Sequence, residues 1–116
     1  MSGPREAPRR VGMVIGIRPE RIADYKRLHA DAWPGVLAQI RRSNIRNFVI
    51  YLREPENLLF GHFDYHGDDL AADMAAMAVD PVTRDWWAET DPCQTVLASA
   101  EPGEKWAYME EVFFAP

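Results

Sequence analysis

Tyr25 and His29 are the two residues whose types and spacing point most directly to chemistry. Side chains four positions apart on a helix stack on one face, so the pair can address a single small ligand. Histidine exchanges protons most readily near neutral pH, which makes His29 a candidate acid or base. The same spacing also fits a core tyrosine beside a hydrogen-bonded core histidine, since helices commonly bury such residues. Trp86 and Trp87 form a second group. Indole offers a flat apolar face for a sugar ring and an N–H for a hydroxyl. Adjacent helical side chains point about 100° apart, so at most one tryptophan faces the core while the other lines a cleft. Core packing or a dimer contact is the structural alternative for both.

Other combinations are weaker. His62 and His66 are four apart, but they fall on a strand and its exit, where that spacing does not converge on a metal. No metal site is therefore expected. Glu110 and Glu111 are neighbours on a strand and point to opposite faces, so they do not form a catalytic carboxylate pair, although one of them could hold a histidine or a substrate hydroxyl. Cys93 follows a proline with no base beside it in sequence and reads as a structural or surface thiol. No glycine-rich phosphate loop follows a strand and no serine occupies a nucleophile elbow.

The elements that must position these residues are legible from periodicity. Val11–Ile17 is a short apolar run with β character; Gly12 and Gly16 lie on the face opposite Met13 and Ile15, where something can pack close. Pro19 suits a first helical position, and Ile22, Tyr25, His29, Ala32, Trp33, Val36, Leu37 and Ile40 then recur at steps of three and four. Pro34 disfavours helical geometry at Trp33, which predicts a kink or two consecutive helices. Phe48, Ile50 and Leu52 alternate with Asn47, Val49 and Tyr51, and the β pattern resumes at Leu58–Phe63 after Glu54–Asn57, giving a hairpin. A second helix runs from Gly67-Asp-Asp through Met77, and Asp80-Pro81 caps a further piece carrying Trp86 and Trp87. After a looser stretch from Asp91 to Glu104, Trp106–Phe114 is aromatic-rich enough to form a central strand. The order strand, helix, strand, strand, helix, strand gives an α+β, ferredoxin-like βαββαβ sandwich of the dimeric α/β barrel type, with one sheet face left to be covered.

The chain has 116 residues, 47% of them apolar and 27% charged, which suits one globular domain. We place this domain at residues 9–116, after a disordered tail at 1–8 that holds two prolines, a glycine and charges without periodicity. A net charge of -5 argues against a duplex-binding surface. Arg41, Arg42 and Arg46 read as a solvated helix end, where positive charge complements the helix dipole. A single cysteine excludes an intrachain disulfide and fits a reducing compartment. No secretory run or membrane span is recognised, so a cytoplasmic protein without membrane or nucleic-acid partners is expected.

Four segments together go further. The run Tyr25-Lys-Arg-Leu-His29-Ala-Asp-Ala-Trp33-Pro34, the hairpin Asn47-Phe-Val-Ile-Tyr51-Leu with Asn57-Leu-Leu-Phe60, the pair Trp86-Trp87 and the ending Glu111-Val-Phe-Phe resemble the L-rhamnose mutarotase family, in the same order from about Arg10 to Pro116. The resemblance implies a homodimeric, cofactor-free aldose 1-epimerase that interconverts the α and β anomers of a free deoxy-sugar, with L-rhamnose as the first candidate. It implies His29 as proton donor to the ring oxygen and Tyr25, Trp86 and Trp87 as substrate contacts. A base, for which Tyr25, a water or a carboxylate such as Glu111 are candidates, would withdraw the anomeric proton. The family places a substrate-binding tyrosine after the hairpin asparagine; Phe48 stands there, keeping the ring and losing the hydroxyl. Because sites that bond a hydroxyl discriminate strongly, L-fucose is an alternative substrate. The rival readings are a dimeric α+β-barrel monooxygenase and a non-enzymatic small-ligand module.

Overall fold

The computed structural model describes residues 9–116; the tail expected at residues 1–8 lies outside the described residues. Strand β1 (Arg9–Ile17) is the hub of the sheet. Its side chains alternate, so Val11, Met13, Ile15 and Ile17 are buried on one face. On one side β1 pairs antiparallel with β3 (Leu58–Tyr65), placing Val11 opposite Phe63 and Ile15 opposite Leu59. Strand β2 (Ile45–Arg53) adds to the far edge of β3. On the other side β1 pairs with two short pieces, β4 (Gln94–Thr95) and β5 (Ala107–Met109). The sheet order is thus β2-β3-β1, completed by β4 and β5, and it matches the expected ferredoxin-like arrangement.

Both helical crossovers divide where the expected breaks at Pro34 and Asp80-Pro81 fall. Helix α1 (Ile22–Ala30), preceded by a 3-10 turn at Pro19–Arg21, is followed by α2 (Pro34–Arg42). The break is where Pro34 demands it: Trp33 is extended, with φ -67° and ψ 134°. The second crossover divides into α3 (Leu70–Val79) and α4 (Pro81–Thr90). Asp69 caps α3 by accepting from the Ala72 N–H at 3.1 Å, and Asp80 caps α4 by accepting from both the N–H and hydroxyl of Thr83 at 2.9 Å. The arginine cluster closes α2 as expected, with the Arg46 guanidinium donating to the Arg41 carbonyl at 2.8 Å. Among the described residues, no helix is long and apolar enough to cross a membrane.

The last strand departs from expectation. Trp106–Phe114 does not form a central strand: only Ala107–Met109 pairs, at the sheet edge, across Gly12–Val14. Beyond Met109, side-chain contacts replace the backbone ladder. Arg10 binds the Glu111 carboxylate at 2.5 Å, and its guanidinium carbon lies 3.6 Å from the centroid of the Phe114 ring. Val112 and Phe113 stay exposed.

Two devices shape the face that carries the helices. Strict alternation from Ile45 would turn Phe48 to the outer face, but a β-bulge intervenes. Arg46 pairs with Asp64 and Val49 with His62, leaving Asn47 and Phe48 both opposite Phe63. Asn47 adopts the left-handed region at φ 53° and donates to the Asp64 carboxylate at 2.9 Å. Ile45 and Phe48 can then both point inward. The second device is Gly16, where an added Cβ would lie 3.0 Å from the Thr95 carbonyl oxygen and closer still to the Thr95 hydroxyl. Close packing at the β1 glycines is therefore the approach of β4 at Gly16 and of β5 at Gly12.

Two predictions follow from these contacts. Gly16→Ala should displace β4 and cost about 1–3 kcal/mol, the usual penalty of overpacking, read as a lower thermal midpoint. Asp73 accepts from the Tyr65 hydroxyl and from the Asn44 amide at 3.1 Å, and these donors hold its carboxyl below the ordinary range. A depressed carboxyl stabilises the fold above its unfolded pKa and loses that contribution as pH falls through the folded value. Acid titration of stability should therefore be flatter in Asp73→Asn than in the parent below the usual aspartate range.

Candidate active site

The site is assembled where the two halves of the helical layer meet over the sheet. Helix α1 supplies Tyr25 and His29, whose ring centroids are 4.2 Å apart with planes tilted by 31°. Helix α4 brings Trp86 edge-on to His29, at 5.1 Å and 70°. Trp33, freed from the helix by Pro34, packs edge-on against Trp86 at 5.2 Å. From the sheet, the bulge presents Phe48, which meets Phe63 edge-on at 5.8 Å. Four of the five expected site residues, Tyr25, His29, Phe48 and Trp86, thus share one wall.

His29 Nδ1 lies 2.9 Å from the Tyr25 backbone carbonyl. A carbonyl oxygen can only accept, so Nδ1 carries the proton. Nε2 is consequently the working nitrogen: it accepts a proton in the neutral ring and donates one in the imidazolium. The Tyr25 ring is buried, and its hydroxyl accepts from the Gln94 side-chain amide at 3.2 Å. Burial pushes the Tyr25 hydroxyl up to about 12, against the smaller opposing effect of Gln94. Tyr25 is therefore a neutral hydroxyl near pH 7 and is unsuited to act as a base.

Two cavities flank this wall. The larger, about 650 Å³, lies between α1, α2 and β2 and is lined by aliphatic side chains such as Ile17, Val36, Leu37 and Leu52. The smaller, about 420 Å³, lies beneath α4 and the 103–108 segment, with Trp87, Gln94, Trp106 and Tyr108 on its walls. Tyr25, His29, Phe48, Ile50 and Trp86 border both. The two tryptophans divide as helical geometry requires. Trp86 is buried yet reaches both cavities, whereas half-buried Trp87 borders only the smaller and carries the Lys105 ammonium 4.6 Å from its ring centroid.

Other candidates lie elsewhere. Glu111 is bound by Arg10 and borders neither cavity, so the structure removes it as the base. His62 approaches Asp64 at 3.8 Å, and among the described residues no group of three or more His, Cys, Asp or Glu side chains is placed to hold a metal. Cys93 is a buried free thiol, raised by desolvation, in keeping with a structural role. Sequence reasoning gave no site role to Trp33, Gln94 or Trp106. The proline after Trp33 was a usable signal, because it releases that ring from the helix. Gln94 reaches Tyr25 across 69 residues of chain, and no local pattern announces it.

The hydrogen bond to the helix backbone predicts the Nδ1–H tautomer for neutral His29. Two-bond nitrogen–proton NMR on histidine-labelled protein should show the Nε2 shift of an unprotonated nitrogen at high pH. A dominant Nε2–H form would contradict the geometry.

A family model described as L-rhamnose mutarotase matches residues 10–115. An L-rhamnose mutarotase of Mesorhizobium japonicum is 29% identical over 85 residues, covering 71% of this chain and 75% of that protein. The Escherichia coli O127:H6 L-rhamnose mutarotase is 26% identical over 107 residues, covering 92% and 98%. Among solved structures, L-rhamnose mutarotase FA22100 from Formosa agariphila superposes with a TM-score of 0.74 at 20% identity, covering 93% of this chain and 99% of that one. That structural likeness supports the fold, while the family match spans nearly the whole described chain. The chain belongs to the L-rhamnose mutarotase family.

Proposed function

We propose that this protein is a mutarotase that interconverts the α and β anomers of a free deoxy-sugar of the L-rhamnose type. The observation that carries the reading is His29, with Nδ1 tied to its own helix and its ring held between Tyr25 and Trp86 on a cavity wall. A residue so fixed offers one nitrogen to one ligand atom, which is what positioned acid–base catalysis requires.

In this mechanism the imidazolium Nε2–H of His29 donates its proton to the ring oxygen as the bond from that oxygen to the anomeric carbon breaks. A base takes the anomeric hydroxyl proton, and the open aldehyde forms. Rotation about the bond next to the carbonyl exposes its other face. The former ring oxygen then attacks, returning its proton to Nε2 while the new anomeric oxygen is reprotonated. Protons balance over the cycle, and no electron is gained or lost, so the chemistry calls for no redox cofactor. Neutral Tyr25 serves as a hydroxyl partner for the sugar. The base is a water or one of the carboxylates bordering the smaller cavity, Asp91 and Glu104.

A homodimer belongs to the same proposal. Helices cover one face of the sheet, while on the other Tyr51 on β2 and Met109 on β5 remain exposed, as do Val112 and Phe113 beyond them. A second copy packed there would remove this apolar surface from water. A cytoplasmic setting accords with the reduced Cys93 thiol.

Saturation-transfer proton NMR of L-rhamnose, followed by L-fucose, tests the activity. Enzyme-dependent exchange should fall by roughly 10²-fold or more in His29→Ala, the low end of what one acid–base group contributes, with the fold retained by circular dichroism. Trp86→Phe and Trp87→Phe should weaken sugar binding with a smaller change in the rate at saturation. Saturable binding without exchange would favour a ligand-binding module, and substrate-dependent oxygen uptake a monooxygenase. A light-scattering mass twice that of the chain is the expected outcome for the dimer.

A further inference from the structure

Gln94 meets Tyr25 where β4 joins the sheet. In the antiparallel pair with β1, Gln94 lies opposite Ile17, whose side chain is buried on the face that carries the helices. Directly opposite residues share a face, so Gln94 also points to the helical layer, while Thr95 turns the other way, against Gly16. The backbone here is held from two sides: the Gln94 N–H donates to the Asp91 carbonyl, and the Cys93 carbonyl accepts from the Arg18 N–H at 2.8 Å. The half-buried side chain reaches the Tyr25 hydroxyl with its amide nitrogen at 3.2 Å. Both residues border the smaller cavity, as does His29.

A phenol hydroxyl has one proton to give and lone pairs to receive. The Gln94 N–H occupies a lone pair, and the two partially positive hydrogens repel, so the Tyr25 O–H turns away from Gln94. Among the described residues, no hydrogen bond uses that proton. It is not lost by ionisation near neutral pH either, because burial pushes the hydroxyl up to about 12. A donor left unpaired on so buried a side chain favours an acceptor in the cavity it borders.

We propose that Gln94 is a positioning residue for substrate recognition: by donating to the Tyr25 hydroxyl it turns that hydroxyl's own proton toward the smaller cavity, where Tyr25 donates to an oxygen of the sugar. This rests on the mutarotase reading and adds to it the polarity of one substrate contact. Tyr25 then holds the sugar by donation while Nε2 of His29 works on the ring oxygen. Gln94 acts through Tyr25 and need not touch the sugar.

The test is a cycle of four proteins, the parent, Gln94→Glu, Tyr25→Phe and the two changes combined. KM and kcat are read by saturation-transfer NMR for whichever of L-rhamnose and L-fucose the parent exchanges. A carboxylate can only accept, so Gln94→Glu draws the Tyr25 proton to itself and away from the cavity. KM should rise roughly three- to tenfold, the range of one neutral hydrogen bond, with a smaller change in kcat. Tyr25→Phe should raise KM by a similar factor, and adding Gln94→Glu to it should raise KM no further. A purely structural role would not give that coupling. Gln94→Met, which removes the donor without adding a charge, should follow the same pattern and stands in if Gln94→Glu does not fold, as thermal melts will show. A Gln94 change that leaves KM unaltered, or raises it equally with and without the Tyr25 hydroxyl, would overturn the proposal and leave the mutarotase reading intact. Exchange of neither sugar by the parent would overturn both.

Discussion

The interlocking of Tyr25, His29, Trp33 and Trp86 is the contact on which the remainder of the molecule turns. These rings come from α1, from the break before α2 and from α4, and they stack edge to face or tilted at centroid separations of 4.2–5.2 Å. Aromatic pairs at such distances are stabilising beyond the area they bury. Here they form a pillar between the two helical crossovers. The buried core is likewise divided: one cluster gathers Val11, Met13, Ile45, Phe63, Tyr65 and Met77, the other Ile15, Ile17, Ile22, Tyr25, Leu59 and Cys93, with Trp106 packed against both. The cavities lie on either side of this pillar, so the rings that hold the helices together are also those a ligand would meet.

Polar positioning follows from the same contact. His29 is oriented by a carbonyl of its own helix, and Tyr25 by Gln94 from the β4 edge of the sheet. Gln94 is delivered by β4, a strand of only two residues whose close approach to β1 depends on Gly16 having no side chain. Such a strand has little ladder of its own. Its position relies on the neighbouring 3-10 turn at Asp91–Cys93 and on the Arg18 N–H donating to the Cys93 carbonyl at 2.8 Å. The buried thiol of Cys93 thus sits at the junction that aligns the tyrosine, which gives it a structural purpose without any reactive one.

Local signals made part of this legible in the sequence. The β alternation, the helical stripe through Tyr25 and His29 and the break at Trp33-Pro34 are short-range patterns, and each is realised. Features that depend on distant pairing were not readable. The bulge at Asn47 needs knowledge of β3, because a strand's own alternation says nothing about an extra residue opposite its partner. The aromatic content of Trp106–Phe114 suggested a long central strand, yet the chain pairs for three residues and is then held by Arg10 through Glu111 and Phe114. β propensity describes a fit to a pleated, half-buried surface, and this segment finds only an edge.

Phe48 shows how family architecture and individual chemistry separate. The bulge that turns position 48 inward depends on the left-handed Asn47 and its bond to Asp64, and on neither ring nor hydroxyl at 48 itself. The edge contact with Phe63 likewise requires only an aromatic ring. A tyrosine and a phenylalanine therefore satisfy the backbone and the packing equally, and differ in whether a polar atom is offered at the boundary between the cavities. With Tyr25 and His29 already anchoring the polar side of that wall, removing a hydroxyl from the sheet side makes the wall asymmetric: hydrogen-bonding groups lie toward α1 and hydrocarbon toward β2.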